Sequence, residues 1–245
     1  MKDYLLDILK HTHSLGLFDF VRVTGTEENT RIDAITEDKC FILMGKTNEP
    51  VEEMMGGFGL PNLSKLDMLV NCKEYAENAD MSLTYDMRDG VNTPVSIKFI
   101  NEAKDFKNEY RLMSEKVLDE KFKLPSAKKY KWDVEFMPTV ASIQRMNFQS
   151  SLLSEEANFT LTTNKGNLVC SFGDASNHAG QFNFSTNVSG TLTDTVVWPV
   201  KYFLPVLKLY DNSTFGIKIS GQGIMEINVD SGMSNYKYYI IGSAK

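Results

Sequence analysis

The segment from Phe159 to Ile241 most strongly limits what this chain can fold into. Apolar and polar residues alternate in short runs along it. Pairs such as Phe182/Phe184 and Ile217/Ile219 are typical of half-buried strands. The pattern predicts three strands, a long crossover, a helix and three further strands. In chain order these are strands at 157–163, 167–173 and 180–187, a helix at 198–210, and strands at 214–220, 223–230 and 235–242.

The first half of the chain repeats this plan without obvious residue identity between the halves. Its predicted elements are a helix at 2–14, strands at 18–24, 30–36 and 39–46, a loop, a helix at 61–77, and strands at 80–88, 94–101 and 108–117. The second half opens with a strand at 130–136 and a helix at 138–152. We therefore predict an α+β fold in which two helices per domain pack on antiparallel sheets. The predicted domains are residues 1–117 and 131–245, joined by a connector at 118–130.

Composition and targeting signals favour a cytoplasmic globular protein. The apolar runs are shorter than the roughly 18 residues that a membrane span requires. Asp3 and Asp7 interrupt the first apolar segment, so we do not expect a secretory signal or a membrane partner. Cys40, Cys72 and Cys170 are widely spaced and show neither zinc nor disulfide spacing, which suits a reducing compartment.

The motifs of enzymes and cofactor sites are weak, and we expect a non-enzymatic protein with no cofactor and no metal. His11 and His13 are two residues apart and point about 200° apart on a helix, so they cannot chelate one ion. The run 221–223 has two glycines but is better explained as a hairpin turn than as a dinucleotide site. The glycine-rich run 56–59 lacks the Lys-Ser/Thr of a phosphate loop, and we expect a flexible connection there.

Net charge and the helices give different indications about nucleic acid. The chain carries a formal charge of −6, which alone argues against DNA binding. An acidic protein can still present a positive track if its cations gather on one face. The helix at 198–210 carries Lys201 and Lys208 seven residues apart, with no acidic residue before Asp211. The helix at 138–152 has no carboxylate and carries Arg145, and we expect Val140, Ile143 and Leu152 to pack inward. The other two helices supply Lys2, Lys10, Lys65 and Lys73, diluted by acidic neighbours.

Several segments then show a resemblance to a known family. The sequence KWDVEF before a helix, the turn at 164–166, the WPV helix entry and the strand YKYYI occur in an order similar to that of DNA sliding clamps. The segment EYRLMSEKVLDEKFKLP resembles the end of a first clamp domain running into its connector. The chain resembles polymerase processivity factors of the proliferating-cell-nuclear-antigen and T-even-phage type. It begins at a helix and lacks an acidic tail, which favours a viral clamp in a bacterial host cytoplasm.

The resemblance implies a head-to-tail homotrimer that encircles double-stranded DNA without sequence preference. Its implied partners are a polymerase tail peptide and an ATP-driven clamp loader. The implied subunit interface pairs strands 109–117 and 180–187 through Tyr110, Leu112, Phe182 and Phe184, although these residues could instead fill their own domains. The implied client pocket is lined by Ile35, Phe122, Leu124, Tyr239 and Ile241, although connector packing could equally explain its apolar residues. The alternative function is a β-rich viral structural or assembly protein joined by sheet edges.

Overall fold

The computed structural model describes residues 1–88, 90–122, 130–174, 176, 178–210 and 215–244. The chain divides into two compact units. Unit 1 comprises Met1–Glu37, Leu43–Pro125 and Ser231–Tyr236, and unit 2 comprises Asp38–Ile42, Ser126–Asp230 and Lys237–Lys245. Each unit therefore contains a short piece from the other half of the sequence.

Unit 1 contains two packed helices, a third short helix and two antiparallel sheets. Its helices are α1 (Lys2–His11), α2 (Leu63–Val70) and α3 (Glu115–Lys121). Its strands are β1 (Phe20–Gly25), β2 (Thr30–Ile35), β3 (Phe41–Thr47, from Leu43 onward), β4 (Gly56–Pro61), β5 (Asp80–Arg88), β6 (Val91–Ile100), β7 (Lys107–Arg111) and β8 (Met113–Ser114). One sheet has the order β8-β4-β1-β2-β3, and the other has the order β5-β6-β7.

Unit 2 contains helices α4 (Val140–Leu152) and α5 (Val200–Leu207) and two further antiparallel sheets. Its strands are β9 (Val134–Phe136), β10 (Asn158–Asn164), β11 (Asn167–Phe172), β12 (Gly180–Ser185), β13 (Val196–Pro199), β14 (Phe215–Ser220), β15 (Ile224–Asp230), β16 (Ser234–Ile241, from Lys237 onward) and β17 (Ser243–Ala244). The strand orders are β12-β11-β10-β13-β17 and β16-β15-β14-β9. The predicted α+β class with antiparallel sheets is confirmed.

Hairpin turns fall where the turn residues predicted them. Asn164 pairs with Asn167, and the two residues between them, Lys165 and Gly166, both have positive φ (48° and 78°). Two consecutive positive φ angles define the type I′ turn, whose twist matches that of the flanking strands. Residues 221–223, which include two glycines, likewise join β14 to β15, with Ser220 opposite Ile224.

The glycine-rich run at 56–59 is strand β4 and not the predicted connection. It pairs with β1 along its whole length, from Gly25 opposite Gly56 to Phe20 opposite Pro61. Two of these glycines, Gly57 and Gly59, lie directly against α3, whereas Gly56 has a positive φ (97°) and faces Pro94. A Cβ at Gly59 would come within 2.9 Å of Leu118 Cδ2, and one at Gly57 would come within 2.6 Å of a Glu115 carboxylate oxygen.

The predicted strand at 108–117 is also wrong beyond Ser114, because the chain turns there into α3. The segment EKVLDEK consists mostly of good helix formers, and its Leu118 side chain is fully buried. Three other helices are shorter than predicted. Helix α2 spans only Leu63–Val70 of the predicted 61–77. Helix α1 stops at His11, and α5 begins only after Pro199, since residues 196–199 form β13 beside β10.

A buried polar network fixes α1 within unit 1. The Asp7 carboxylate accepts hydrogen bonds from Tyr236 Oη (2.8 Å) and Ser231 Oγ (3.1 Å) and lies 3.2 Å from His11 Nδ1. The His11 ring stacks on Tyr236 with centroids 4.2 Å apart. Burial raises the pKa of Asp7, but the contacts with His11 and Tyr236 outweigh it, so that the pKa lies below its ordinary value. His11 is therefore part of the packed interior of unit 1.

Candidate DNA-facing and partner surfaces

The helices of each unit pack as a pair, α1 with α2 and α4 with α5. Each helix buries one apolar side: Leu5 and Ile8 in α1, and Leu63 and Leu66 in α2, for example. Helix α4 starts with a capping box, in which the Ser142 amide donates to Thr139 Oγ1 (3.1 Å) and the Thr139 amide donates to Ser142 Oγ (2.9 Å). This arrangement satisfies two amide groups that the first turn would otherwise leave unbonded.

Together these four helices are cationic although the chain is acidic. They contain five Lys or Arg and three Asp, and one of the three, Asp7, is buried. The chain as a whole has 26 Lys or Arg against 32 Asp or Glu. The outward sides of the paired helices therefore carry an excess of positive charge.

The two predicted lysines of α5 have different surroundings in the structure. Lys208 caps the C-terminus of the helix and is exposed, so its charge lies at the end where the helix dipole favours a cation. Lys201 is also exposed, but its Nζ lies 3.3 Å from Asp38 Oδ2. Asp38 is 163 residues away in sequence, which is why the helix alone suggested that no carboxylate was near.

On α4, Arg145 is exposed as predicted, but the inward side of the helix was partly misassigned. Ile143 is buried, whereas Val140 and Leu152, both expected to pack inward, are 52% and 60% exposed. Phe148 is 64% exposed, which the spacing of apolar residues in the sequence did not indicate. Arg145, Phe148 and Leu152 are spaced three and four residues apart, so they form one continuous stripe.

In unit 1, Lys10 on α1, Lys65 on α2 and Lys73 just after α2 are exposed. Lys2 differs from them, because its ammonium donates to the backbone oxygens of Tyr75 (2.6 Å) and Ala76 (3.1 Å). That ammonium fastens the start of α1 to the turn at 73–75. We therefore leave Lys2 out of the candidate DNA-facing surface.

The predicted interface strands lie at the outer positions of their sheets. In the part of the chain that the structure describes, β7 ends the order β5-β6-β7 and β12 ends the order β12-β11-β10-β13-β17. An outer strand presents backbone N–H and C=O groups that another strand can pair with. Both edges therefore have the property that a strand-to-strand subunit interface needs.

The side chains predicted for this interface divide into two kinds. Tyr110 is 4% exposed and donates its hydroxyl to the Pro61 backbone oxygen, and burial raises the pKa of Tyr110. Phe184 is 2% exposed and packs edge-on against Phe136, with centroids 5.5 Å apart. These two side chains fill the cores of their own units and offer little surface to a neighbour. Leu112 and Phe182 are only half-buried and remain candidates.

Helix α4 extends the surface at the β12 edge. The helix packs on β12, and a Cβ at Gly180 would lie 2.2 Å from Gln149 Oε1. Leu152 and Arg145 are three and four residues from Gln149 and so lie on the same side of the helix. The exposed stripe that includes Phe148 is therefore continuous with an open strand edge of unit 2.

The predicted client residues fall in both units, and each unit places them differently. In unit 1, Ile35 is half-buried at the end of β2, whereas Phe122 is buried edge-on against Phe20, with centroids 6.3 Å apart. Leu124 lies outside the described residues. In unit 2, Tyr239 and Ile241 lie two residues apart on the outward side of β16, with Tyr239 half-buried and Ile241 39% exposed.

Tyr239 is a neutral phenol on that side of β16. Burial and a hydrogen bond to Glu226 both raise its pKa above the ordinary value. The outward side of β16 thus presents an apolar side chain beside an uncharged aromatic ring, a surface suited to apolar anchors of a peptide.

None of the helices in the described residues is long and apolar enough to cross a membrane. The described residues also contain no group of three or more His, Cys, Asp or Glu side chains placed to hold a metal ion.

The fold defined by these paired helices and antiparallel sheets is that of the PCNA-type sliding clamps. The chain superimposes on PCNA from Thermococcus kodakaraensis with a TM-score of 0.68 and 11% identity, and on A. fulgidus PCNA bound to the C-terminal region of FEN-1 with a TM-score of 0.70 and 10% identity. It also matches the PCNA2-PCNA3 complex from Sulfolobus tokodaii with a TM-score of 0.66 and 12% identity. Each match covers 98% of this chain and 96% of the other. No family model and no curated protein matches the sequence.

Proposed function

We propose that three copies of this chain form a ring around duplex DNA and act as a sliding clamp, which tethers a DNA polymerase for processive synthesis. The observation that carries the proposal is the excess of cations on the paired helices of a chain whose net charge is −6. In a ring built from this fold, such helices would line a central hole. Retention on a duplex blocked at both ends, compared with an open-ended duplex, tests the proposal.

The proposed DNA-facing residues are Lys10, Lys65, Lys73, Arg145, Lys201 and Lys208. A ring of three copies would carry a formal charge of three times −6, which is −18, so DNA would be repelled from its acidic surfaces and attracted to the helices. Contacts between exposed cations and phosphates are independent of sequence and weaken with salt. Such contacts suit a protein that holds DNA loosely enough to slide.

We propose that neighbouring copies join by pairing β7 of one copy with β12 of the next. Phe148 and Leu152 support a second copy as the partner at this surface, because they extend the open edge of β12 with apolar side chains that a neighbouring protein would cover. Large apolar side chains on a helix are a poor surface for phosphates. Arg145 borders both proposed surfaces.

We propose that clients, including a polymerase tail, bind through Tyr239 and Ile241 on the outward side of β16. An ATP-driven loader and other replication proteins would use the same kind of surface, and no enzymatic activity is proposed.

The alternative function, a viral assembly protein joined at sheet edges, would use β7 and β12 but gives the helix cations no role. We also propose that the chain is viral and acts in the cytoplasm of a bacterial host.

Ile241→Asp tests the client surface. The side chain is partly exposed, so the substitution should leave folding and assembly unchanged while placing a charge where an apolar anchor would bind. Burying that carboxylate without a partner would weaken binding of a polymerase tail peptide by at least about tenfold. Fluorescence anisotropy with the labelled peptide measures the change, and Met137→Asp provides a matched control, because Met137 is an exposed apolar residue of unit 2 away from β16. Unchanged affinity in Ile241→Asp would remove the client surface from β16.

A further inference from the structure

The ion pair between Lys201 and Asp38 is held in place from several directions. Asp38 Oδ2 lies 3.3 Å from Lys201 Nζ and also accepts a hydrogen bond from Tyr202 Oη. Asp38 Oδ1 accepts from the Cys40 backbone amide at 3.0 Å. Tyr202 is buried and stacks on Phe41 at 5.2 Å, with the rings nearly parallel. The carboxylate therefore has a fixed position beside α5.

Lys201 is the mobile partner in this pair. Its side chain is 63% exposed, and its Nζ lies 4.4 Å from the centre of the Tyr202 ring. Tyr202 and then Asp38 raise the pKa of Lys201, so it carries a full positive charge at neutral pH. An exposed ion pair of this kind contributes little to stability. An incoming anion can therefore draw the ammonium away at small cost to the fold.

We propose that Asp38 competes with DNA phosphate for Lys201 and so lowers the affinity of α5 for DNA. This inference rests on the proposed DNA-facing role of α5. When a phosphate binds Lys201, the fixed Asp38 carboxylate loses its ion pair with Lys201 and lies close to a second negative charge. Lys201 therefore contributes less to DNA binding than Lys208, although the helical pattern alone predicts equal roles for the two lysines.

The variant Asp38→Asn tests the competition with little change in shape. The asparagine oxygen can still accept from the Cys40 amide, and its NH2 group takes the place of Oδ2, where it can donate to Tyr202 Oη. The shape is kept, whereas the negative charge and the acceptor for Lys201 are removed. We expect duplex DNA to bind roughly two- to fivefold more tightly per released lysine. The plot of log K against log salt should steepen by about 0.9 for each additional phosphate that a released lysine neutralises. Anisotropy with a labelled duplex of mixed sequence measures both quantities.

Two comparisons separate the local effect from a general change in charge. Glu28→Gln adds the same charge at an exposed site between β1 and β2 and should leave affinity nearly unchanged. Lys201→Gln should weaken binding only slightly in the wild-type background, but should cancel the whole increase in affinity in the Asp38→Asn background. Circular dichroism and native mass confirm that each variant folds and assembles normally.

The outcomes distinguish this inference from the proposed function. If the wild-type protein binds duplex but Asp38→Asn binds no more tightly than Glu28→Gln, the competition is refuted and the clamp proposal stands. An equal cost of Lys201→Gln in both backgrounds refutes it as well. If the wild-type protein shows no salt-dependent duplex binding, the competition and the DNA-facing role of α5 are both refuted.

Discussion

The double variant Lys201→Glu with Lys208→Glu should lose duplex binding by at least about a hundredfold at low salt. Each copy gains four negative charges, so a ring of three copies changes from −18 to −30. The reversed charges on α5 would face phosphates directly, and loss of several phosphate contacts costs orders of magnitude in affinity. Lys201→Glu also places a carboxylate beside Asp38, which adds local repulsion. Anisotropy with duplex DNA and polymerase processivity on a long template measure the loss.

The control for this variant reverses two lysines that lie on strands. Lys46→Glu with Lys98→Glu produces the same net charge from exposed positions on β3 and β6. It should retain most of the duplex affinity, and both double variants should keep native mass and client-peptide binding. If the α5 variant supports full processivity at physiological salt, Lys201 and Lys208 do not face DNA. Equal losses in the two variants would show an effect of net charge alone.

The second large effect is expected from Phe148→Asp combined with Leu152→Asp. Both side chains are exposed in the single chain, so the substitutions should leave the fold of unit 2 intact. In the proposed assembly they are covered by the next copy, where burying an apolar side chain of this size contributes about 1.5–3 kcal/mol. Replacing both with carboxylates should weaken each subunit contact by at least about a thousandfold.

Sedimentation measures this change directly. The wild-type protein should behave as three times 27.7 kDa, about 83 kDa, and the double variant should approach 27.7 kDa at micromolar concentration. Met87→Asp is the control, since Met87 is 72% exposed on the β5–β6 hairpin and should not affect mass. Tyr110→Ala is unsuitable for this purpose, because Tyr110 is buried and its loss would destabilise unit 1. A double variant that stays at 83 kDa at nanomolar concentration would contradict a role for α4 in assembly.

The sequence was sufficient to predict the elements that depend on local pattern. The hairpin at Lys165-Gly166 follows from Gly166, which adopts positive φ without a steric penalty, and the helix predicted at 138–152 agrees closely with α4. Strand β4 could not be predicted in the same way. Its glycines are unfavourable in a strand by local propensity, and Gly57 and Gly59 are explained by α3, which packs on them from a segment more than fifty residues away.

In the candidate surfaces, too, the sequence predicted what depends on local pattern but not what depends on distant segments. Exposed cations on α2, α4 and α5 were predictable from helical spacing, but the partners of Lys2 and Lys201 come from distant parts of the chain. The apolar residues Val140 and Leu152 were expected to be buried because apolar residues usually are. Their exposure depends on which side of α4 packs in unit 2, and the irregular spacing of apolar residues in that helix does not define a single side.

The most direct test of the account is whether the protein is held on DNA by topology. The protein is allowed to thread onto a linear duplex with one blocked end, the second end is then blocked with a bulky protein, and the complex is washed with high salt. A ring should remain on the blocked duplex after salt has screened its phosphate contacts, and should be released when a restriction enzyme cuts the duplex. A protein that washes off blocked and open-ended duplexes equally well would contradict the proposal that this chain encircles DNA.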